Sequence, residues 1–358
     1  MEALNKHPLF TIVIPFYKGE KFIACAIESV LSQPYKYVEV LLINDGSPTG
    51  TGICEHIAKT DSRIKYFYKQ NEGIGATRNF GIEHASGDWL AFLDQDDVWA
   101  KNFLTDDVVQ KIIDADDVVG FSYYACNSSL SRGNLVKVEE KTISGGGNAA
   151  QTCHNHHSSM VYKRALFVDS DIRYTLTRHE DVIFLQKVLY VAKKVTYIDK
   201  VMFLYRNNYS SETHRMQRVE TLYGPILNSW KELLNWHLEN HPDDIETIRT
   251  VKYMICVYAI EAVEMLYKTG ISEETAEGIV DKHFCREFLD LYKDIVLEKA
   301  RFDQIGFYYN HRKKFIIRQR ALGKIDNYKN RLKHYVIFRT LNNKIKYRSV
   351  LPKGLYTN

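Results

Sequence analysis

Apolar residues along the first hundred positions switch between two periods. Phe10-Thr11-Ile12-Val13-Ile14 is a short apolar, β-branched run closed by Pro15, which predicts a buried strand. Phe22, Ile23, Ala26, Ile27, Val30 and Leu31 then recur at helical spacing up to Gln33-Pro34. Val38 to Ile43 reads as a second strand, ended by the turn-forming Asn44-Asp45-Gly46-Ser47. A helical stretch from about Gly50 to Lys59 leads to the strand Ile64-Lys65-Tyr66-Phe67-Tyr68. After it come a loop at Asn71-Glu72-Gly73, a helix through Ala85 and a fourth strand, Trp89-Leu90-Ala91-Phe92-Leu93.

Strands alternating with helices predict right-handed crossovers and an α/β fold, a mainly parallel sheet covered on both faces. Ligands of such sheets bind beyond the carboxyl ends of the strands, so residues 1–100 read as a nucleotide-binding half. Three of those ends carry Pro15-Phe16-Tyr17, Asp45 and Asp94-Gln95-Asp96-Asp97. From Lys101 to Tyr209 the pattern is mixed, with a Gly/Ser-rich loop at Ser144-Gly145-Gly146-Gly147-Asn148, and it is expected to complete the sheet. Beyond about Arg215 the reading is mostly helical, as in the stripe Val251, Met254, Ile255, Tyr258, Ala259, Val263 and Leu266. The expected division is a catalytic domain over residues 1–214 and a helical C-terminal region over 215–358.

A chain of 358 residues that is 45% hydrophobic can bury at least one large core, which argues against disorder. Its six cysteines are scattered without a CxxC pair, so neither a disulfide framework nor a structural zinc site is written in it. The N-terminus lacks a leader pattern and no uncharged apolar run is long enough to span a bilayer, so a cytoplasmic protein is expected. Charge is unevenly placed. The net +4 hides a tail, Lys299 to Asn358, with 16 Lys and Arg against two Asp, so the residues before it are net acidic. Aromatic and aliphatic residues interleave with those charges, as in Phe307-Tyr308-Tyr309-Asn310-His311-Arg312-Lys313-Lys314. That mixture suits the anionic inner face of a membrane, a peripheral placement. It also suits a helical face packed on the acidic body. No RNA-binding module accompanies it, and no nucleic-acid partner is expected.

Carboxylates spaced around one residue at a strand end let one reach a hard cation while its neighbour meets a ribose hydroxyl or a metal-bound water. The cluster Asp94 to Asp97 has that spacing, and it would equally suit the N-cap and acidic first turn of a helix. Its companions decide. Pro15-Phe16-Tyr17, Asn44-Asp45-Gly46-Ser47, the run Asn71-Glu72-Gly73-Ile74-Gly75-Ala76-Thr77-Arg78-Asn79-Phe80-Gly81 and Phe92-Leu93-Asp94-Gln95-Asp96-Asp97 occur in that order. Over roughly residues 9 to 210 the chain resembles the family 2 inverting glycosyltransferases of GT-A fold.

That resemblance implies a UDP-sugar donor, a Mn²⁺ or Mg²⁺ cofactor, and a glycan or lipid-linked glycan acceptor of bacterial surface-polysaccharide type. Residues 101–214 would be the acceptor half. Tyr17 would lie against the nucleobase, Asp45 would meet the base edge, and Arg78 would approach the base or the phosphates. Pro15, Asn71, Gly73 and Gln95 would complete the nucleotide-sugar contacts. Asp94 would meet the ribose and Asp96 the metal. In Arg178-His179-Glu180-Asp181-Val182, Asp181 matches the family's general base, which takes the acceptor hydroxyl's proton as that oxygen attacks the anomeric carbon. Arg206 would pair with phosphate oxygens, and His214 would complete the cation's coordination. Cys153-His154-Asn155-His156-His157 falls in the acceptor-facing stretch, so acceptor contacts are favoured there over a zinc site. No Gln-x-x-Arg-Trp signature is present, which favours addition of a single sugar over processive synthesis. Two other readings stay open: a binding protein that keeps the pocket without turnover, and a nucleotidyltransferase, which would need a glycine-rich phosphate loop that Pro15-Phe16-Tyr17-Lys18-Gly19 is not.

Overall fold

The computed structural model describes residues 7–207, apart from 116, 132, 153–155 and 169, and residues 219–252 with 254, 255 and 258. Of these, residues 7–207 form one compact unit and those from 219 onward a second.

The first strand, β1 (Phe10–Phe16), is buried along its whole length, as a strand covered on both faces must be. Its alternate side chains serve two cores. Ile12 and Ile14 join Val40, Leu42, Ala91 and Leu93 on one face, beneath Ile23, Ile27 and Val30 of α1 (Ile23–Leu31). Val13 joins Leu41, Ile43, Leu90 and Phe92 on the other. That second face is covered by Ile82 of α3 (Ile74–His84) and by Phe184, Leu185, Val188 and Leu189 of α7 (Glu180–Val191).

Strands β2 (Val38–Asp45) and β4 (Trp89–Phe92) pair in parallel with β1 on opposite sides, and β3 (Ile64–Lys69) pairs in parallel with β2. The first crossovers run through α1 and α2 (Thr51–Ala58) and the third through α3. Chain order therefore reverses at β1, and the ends of β1, β2 and β4 meet at the switch point where ligands of such sheets bind.

The sheet continues past β4 in mixed sense. Its order is β3-β2-β1-β4-β9-β6-β10-β5, with the antiparallel β9 (Met160–Lys163) inserted beside β4. Strand β6 (Val118–Cys126) pairs antiparallel with β9 and parallel with β10 (Lys194–Arg206), which carries the two-residue β5 (Val98–Trp99) on its far edge. Two short strands, β7 (Gly133–Val136) on β6 and β8 (Lys141–Ser144) on β10, extend this half. Helices α4 (Asp106–Ile113), α5 (Gly147–Thr152) and α6 (Ala165–Val168) lie between these strands in the chain. The parallel expectation thus holds for the first four strands. The second half is mixed, because β9 runs antiparallel to both β4 and β6 while β6 and β10 are parallel.

The second unit begins with α8 (Val219–Asn240), which buries Ile226, Leu227, Trp230, Leu233 and Leu234 at helical spacing. No described helix is long and apolar enough to cross a membrane. His214 and the basic tail lie outside the described residues.

Helix α3 approaches β1 closely because it presents a glycine to it. A Cβ on Gly81 would lie 2.4 Å from Val13 Cγ1 and 3.2 Å from Ile43 Cδ1. Helix propensity alone would favour alanine by about 1 kcal/mol, whereas overpacking a core costs about 1–3 kcal/mol. Gly81→Ala is therefore expected to lower the free energy of urea unfolding; an increase would contradict the close packing of α3 on the sheet.

Candidate active site

At the end of β1, Tyr17 leaves its ring 40% exposed. Its backbone is held from the end of β4. The Tyr17 N–H donates to Gln95 Oε1 and its carbonyl accepts from Gln95 Nε2, both at 2.9 Å. One side-chain amide thus fastens two neighbouring strand ends. Gly19 permits it, since a Cβ there would lie 2.1 Å from Gln95 Oε1. The Lys18 ammonium sits over the Tyr17 ring at 5.1 Å, and the Lys18 N–H donates to Ser47 Oγ at 3.0 Å, which ties this corner to the end of β2.

At the end of β2, the buried Asp45 carboxylate accepts from Lys69 Nζ at 2.8 Å, the Glu72 N–H at 3.1 Å and the Gly73 N–H at 2.9 Å. Three donors on one carboxylate shape the loop that enters α3. In this loop Asn71 is exposed, and Gly73 takes a φ of 93° that disfavours a side chain. Asp45 and the Asn71–Gly73 loop are therefore neighbours at the end of β2, which the Lys18–Ser47 bond ties to the Tyr17 corner.

Arg78, on α3, is the centre of the site. Its side chain is 3% exposed, with Nη2 donating to Asp94 Oδ1 at 2.7 Å and Nη1 to Glu180 Oε1 at 3.0 Å. Its guanidinium also faces the Tyr174 ring at 5.2 Å. Burial works against its charge, and Asp94, Tyr174, Glu180 and Asp181 outweigh burial, so its pKa lies above the ordinary arginine value. The sequence leads one to expect Arg78 on the nucleotide; the structure places its guanidinium on the two acidic motifs.

The same helix fixes the segment leading to Glu180. Asn79 grips the Tyr174 backbone from both sides, donating to its carbonyl at 2.9 Å and accepting its N–H at 2.7 Å. Gly75 allows the Thr175 carbonyl to approach so closely that a Cβ would lie 2.3 Å from it. Tyr174 stacks on Phe184 of α7 with centroids 3.8 Å apart. His179 turns the chain into α7 with φ 62°.

On the other side of the acidic turn, Asp97 is buried and its Oδ1 accepts the Arg206 N–H at 2.7 Å. Arg206 Nε donates to the Asp96 carbonyl and Nη1 to the Ser128 carbonyl, each at 2.6 Å, and its guanidinium lies 4.9 Å from the Phe22 ring. Arg206 thus binds the turn to β10 through backbone oxygens. Burial, then Asp94 and Asp96, push the Asp97 carboxyl well above the usual carboxylate range. Burial and the neighbouring carboxylates thus favour the neutral form of Asp97, whose buried Oδ2 has no hydrogen-bond partner.

Glu180 and Asp181 are driven apart. Burial raises Glu180 despite Arg78. Burial would raise Asp181 too, but His157, Arg78, His156 and the Val182 N–H together bring it below its ordinary value. Both imidazoles are themselves held low by burial, so at neutral pH the standing charge in that set is Arg78. Asp181 thus lies in a partly buried place where Arg78 and the Val182 N–H favour its carboxylate form, the form a base requires.

The stretch expected to face an acceptor divides. His157 is 2% exposed, its Nδ1 paired with Tyr174 Oη at 3.2 Å and its Nε2 with Ser158 Oγ at 3.1 Å, so it belongs to the core. His156 is half-buried. Among the described residues, no group of three or more His, Cys, Asp and Glu is arranged to hold a metal. Asn79 and Glu180 are structural members of the site to which sequence reasoning assigned no role, although both stand beside residues that it singled out.

Residues 11–173 match the family model described as Glycosyl transferase family 2. Among similar relatives, Glycosyltransferase GlyA of Streptococcus pneumoniae is 30% identical over 214 residues, 55% of this chain and 30% of that protein. The uncharacterized glycosyltransferase EpsJ of Bacillus subtilis is 31% identical over 224 residues, 58% of this chain and 63% of that protein. The chain thus spans less than two thirds of either relative's length. The crystal structure of S. aureus TarS 1-349 in complex with UDP-GlcNAc aligns with a TM-score of 0.63 at 15% identity, covering 88% of this chain and 90% of that one. The mixed sheet with flanking helices is the GT-A fold.

Because native His157 is neutral while an unfolded imidazole titrates near 6.5, the unfolded chain binds more protons as pH falls through that value. Stability should fall on acidification from pH 7, by up to about 1.4 kcal/mol per pH unit for this group. Urea unfolding of His157→Gln should show a flatter dependence below pH 7 than the wild type; equal slopes would place the pH sensitivity elsewhere.

Proposed function

Because residues 11–173 place the chain in glycosyl transferase family 2, we propose that it transfers a single hexose or N-acetylhexosamine from a UDP-sugar to a hydroxyl of a glycan or lipid-linked glycan. The step is a single displacement with inversion, in surface-polysaccharide synthesis. The observation that carries this reading is the pair of ion pairs on Arg78, which joins the acidic turn at Asp94 to Glu180, next to Asp181. Displacement needs a charge-tolerant site for the leaving diphosphate and a base on the opposite side of the anomeric carbon. One buried cation links a candidate for each.

On this reading the exposed Tyr17 ring offers a stacking face to uracil, with Asp45 and the Asn71–Gly73 loop beside it. TarS, which shares the fold, binds UDP-GlcNAc, and the same donor class is proposed here. The residues present fit a divalent cation. Asp94, Asp96 and Asp97 are hard oxygen donors on one turn, and the buried Oδ2 of Asp97 has no hydrogen-bond partner there. Magnesium is ordinarily held by one or two carboxylates together with substrate phosphates, so a three-ligand protein cluster is not required. Asp96 would hold the ion, with His214 as the proposed second ligand, and a bound cation would neutralise charge on the departing diphosphate. Asp94, already on Arg78, is left to orient the ribose. Arg78 and Arg206 act as positioning residues: one sets Asp94 and Glu180, the other the turn that bears Asp96.

Asp181 receives the acceptor hydroxyl's proton as the oxygen forms its bond to the anomeric carbon and the bond to the diphosphate breaks. The Arg78 charge and the Val182 N–H favour its carboxylate form. The basic tail is proposed to hold the enzyme at the anionic inner face of the membrane, near a lipid-linked acceptor.

Asp181→Asn should bind UDP with Mg²⁺ or Mn²⁺ as the wild type does in a thermal-shift titration, and lose about 10²–10⁴-fold in transfer rate. Transfer within a few-fold of wild type would remove Asp181 from the role of base.

A further inference from the structure

His156 has no part in the roles described so far, yet its neighbours lead to both acidic motifs of the site. It caps the 3₁₀ turn His157–Ser159, its Nδ1 accepting the Ser158 N–H at 3.3 Å and its carbonyl accepting the Ser159 N–H at 2.8 Å. Its ring is set among Tyr123, Phe203 and Tyr205, with centroids 5.7, 5.4 and 5.1 Å away. Unlike His157, it remains half-buried.

Two consequences follow from elementary chemistry. An Nδ1 that accepts a backbone N–H carries no proton, and burial keeps the ring neutral, so the single ring proton is on Nε2. Nε2 is thereby a donor and not an acceptor. Second, the ring's neighbours lead to both sides of the reaction. Tyr205 adjoins Arg206, which holds Asp97 at 2.7 Å, while His157 reaches Arg78 through Tyr174. Burial lowers the pKa of the His156 ring, outweighing the opposing influence of Asp94 and Asp181. In an inverting displacement, the sugar ring must span the interval between the donor carboxylates and the base.

We propose that His156 is a specificity-determining residue for the transferred sugar, its Nε2–H donating to a hydroxyl or acetamido oxygen of the hexosyl group. The inference rests on the assignment of the Asp94–Asp97 turn and Asp181 to the donor and base sides of one transfer site. A histidine in this place rejects a sugar lacking the matching oxygen, because its polar N–H would be left unpaired beside the aromatic rings.

The test is calorimetric titration of the full chain with Mg²⁺, using UDP, UDP-glucose and UDP-N-acetylglucosamine. His156→Phe should bind UDP as the wild type does and lose about three- to tenfold in affinity for whichever sugar nucleotide the wild type prefers. His156→Gln, which can both accept from Ser158 and donate, should restore most of that loss. Unchanged sugar-nucleotide affinity in His156→Phe overturns the proposal, as does an equal loss for UDP. Transfer impaired with donor binding intact would assign the contact to the acceptor and overturn it as well. If the wild type bound none of the three ligands, the donor reading itself would fall and the inference with it, an outcome distinct from the others. Should His156→Phe not fold, ¹⁵N-histidine spectra of the wild type serve instead. They should show His156 as the Nε2–H tautomer, shifting on addition of UDP-N-acetylglucosamine but not of UDP; an Nδ1–H tautomer or equal shifts with both ligands would contradict it.

Discussion

A guanidinium buried to 3% exposure cannot stand alone. Withdrawing it from water costs several kcal/mol, and only close, well-directed anions offset that. Arg78 has two, Asp94 and Glu180, brought from the turn after β4 and the start of helix α7. The constraint runs both ways. Each carboxylate is held partly out of water because the cation is there, and the segments that carry them are fixed relative to α3. Gly75, Asn79 and Gly81 on the same helix serve the same end: two glycines let Thr175 and the sheet approach, and the amide of Asn79 grips the Tyr174 backbone.

From this centre the site divides its polar residues between two kinds of work. Gln95, Asp45 and Arg206 are engaged with backbone groups of Tyr17, of the Glu72–Gly73 loop and of Asp96 and Ser128. Those bonds exist before any ligand arrives, so the strand ends need little reordering on binding, which is how a rigid frame favours catalysis. Tyr17, Asp96, Asp181 and His156 are the residues assigned to ligands, and none of them is fully buried. A motif residue is thus not by that fact a ligand contact.

Much of the first half was legible in the sequence because its signals are local. A β-branched run that stops at Pro15, and apolar residues at Ile23, Ala26, Ile27 and Val30, each specify an element within a few residues. The site was legible as a set of strand ends for the same reason. The ion pair between Arg78 and Glu180 was not, because the partners are 102 residues apart and either would be at home on a surface. Helix α3 shows the other limit. It buries Gly75, Thr77, Arg78 and Gly81 along with Ile82, so its inner face is chosen for close approach and charge rather than for apolarity, and hydrophobic periodicity says little about it. The second half mixed antiparallel β9 with short strands β5, β7 and β8, whose pairing depends on contacts distant in sequence. His156 and His157, adjacent in the chain, face different surroundings for the same reason.

Arg78 and Glu180 should behave energetically as one unit. A double-mutant cycle with Arg78→Met and Glu180→Gln, read by urea unfolding, measures this. Glu180→Gln should cost much less stability in the Arg78→Met background than in the wild type, giving a coupling of about 1–3 kcal/mol, since removing the guanidinium strands a buried carboxylate that the second change neutralises. Costs that add within about 0.5 kcal/mol would contradict the claim that this ion pair holds the two acidic motifs together.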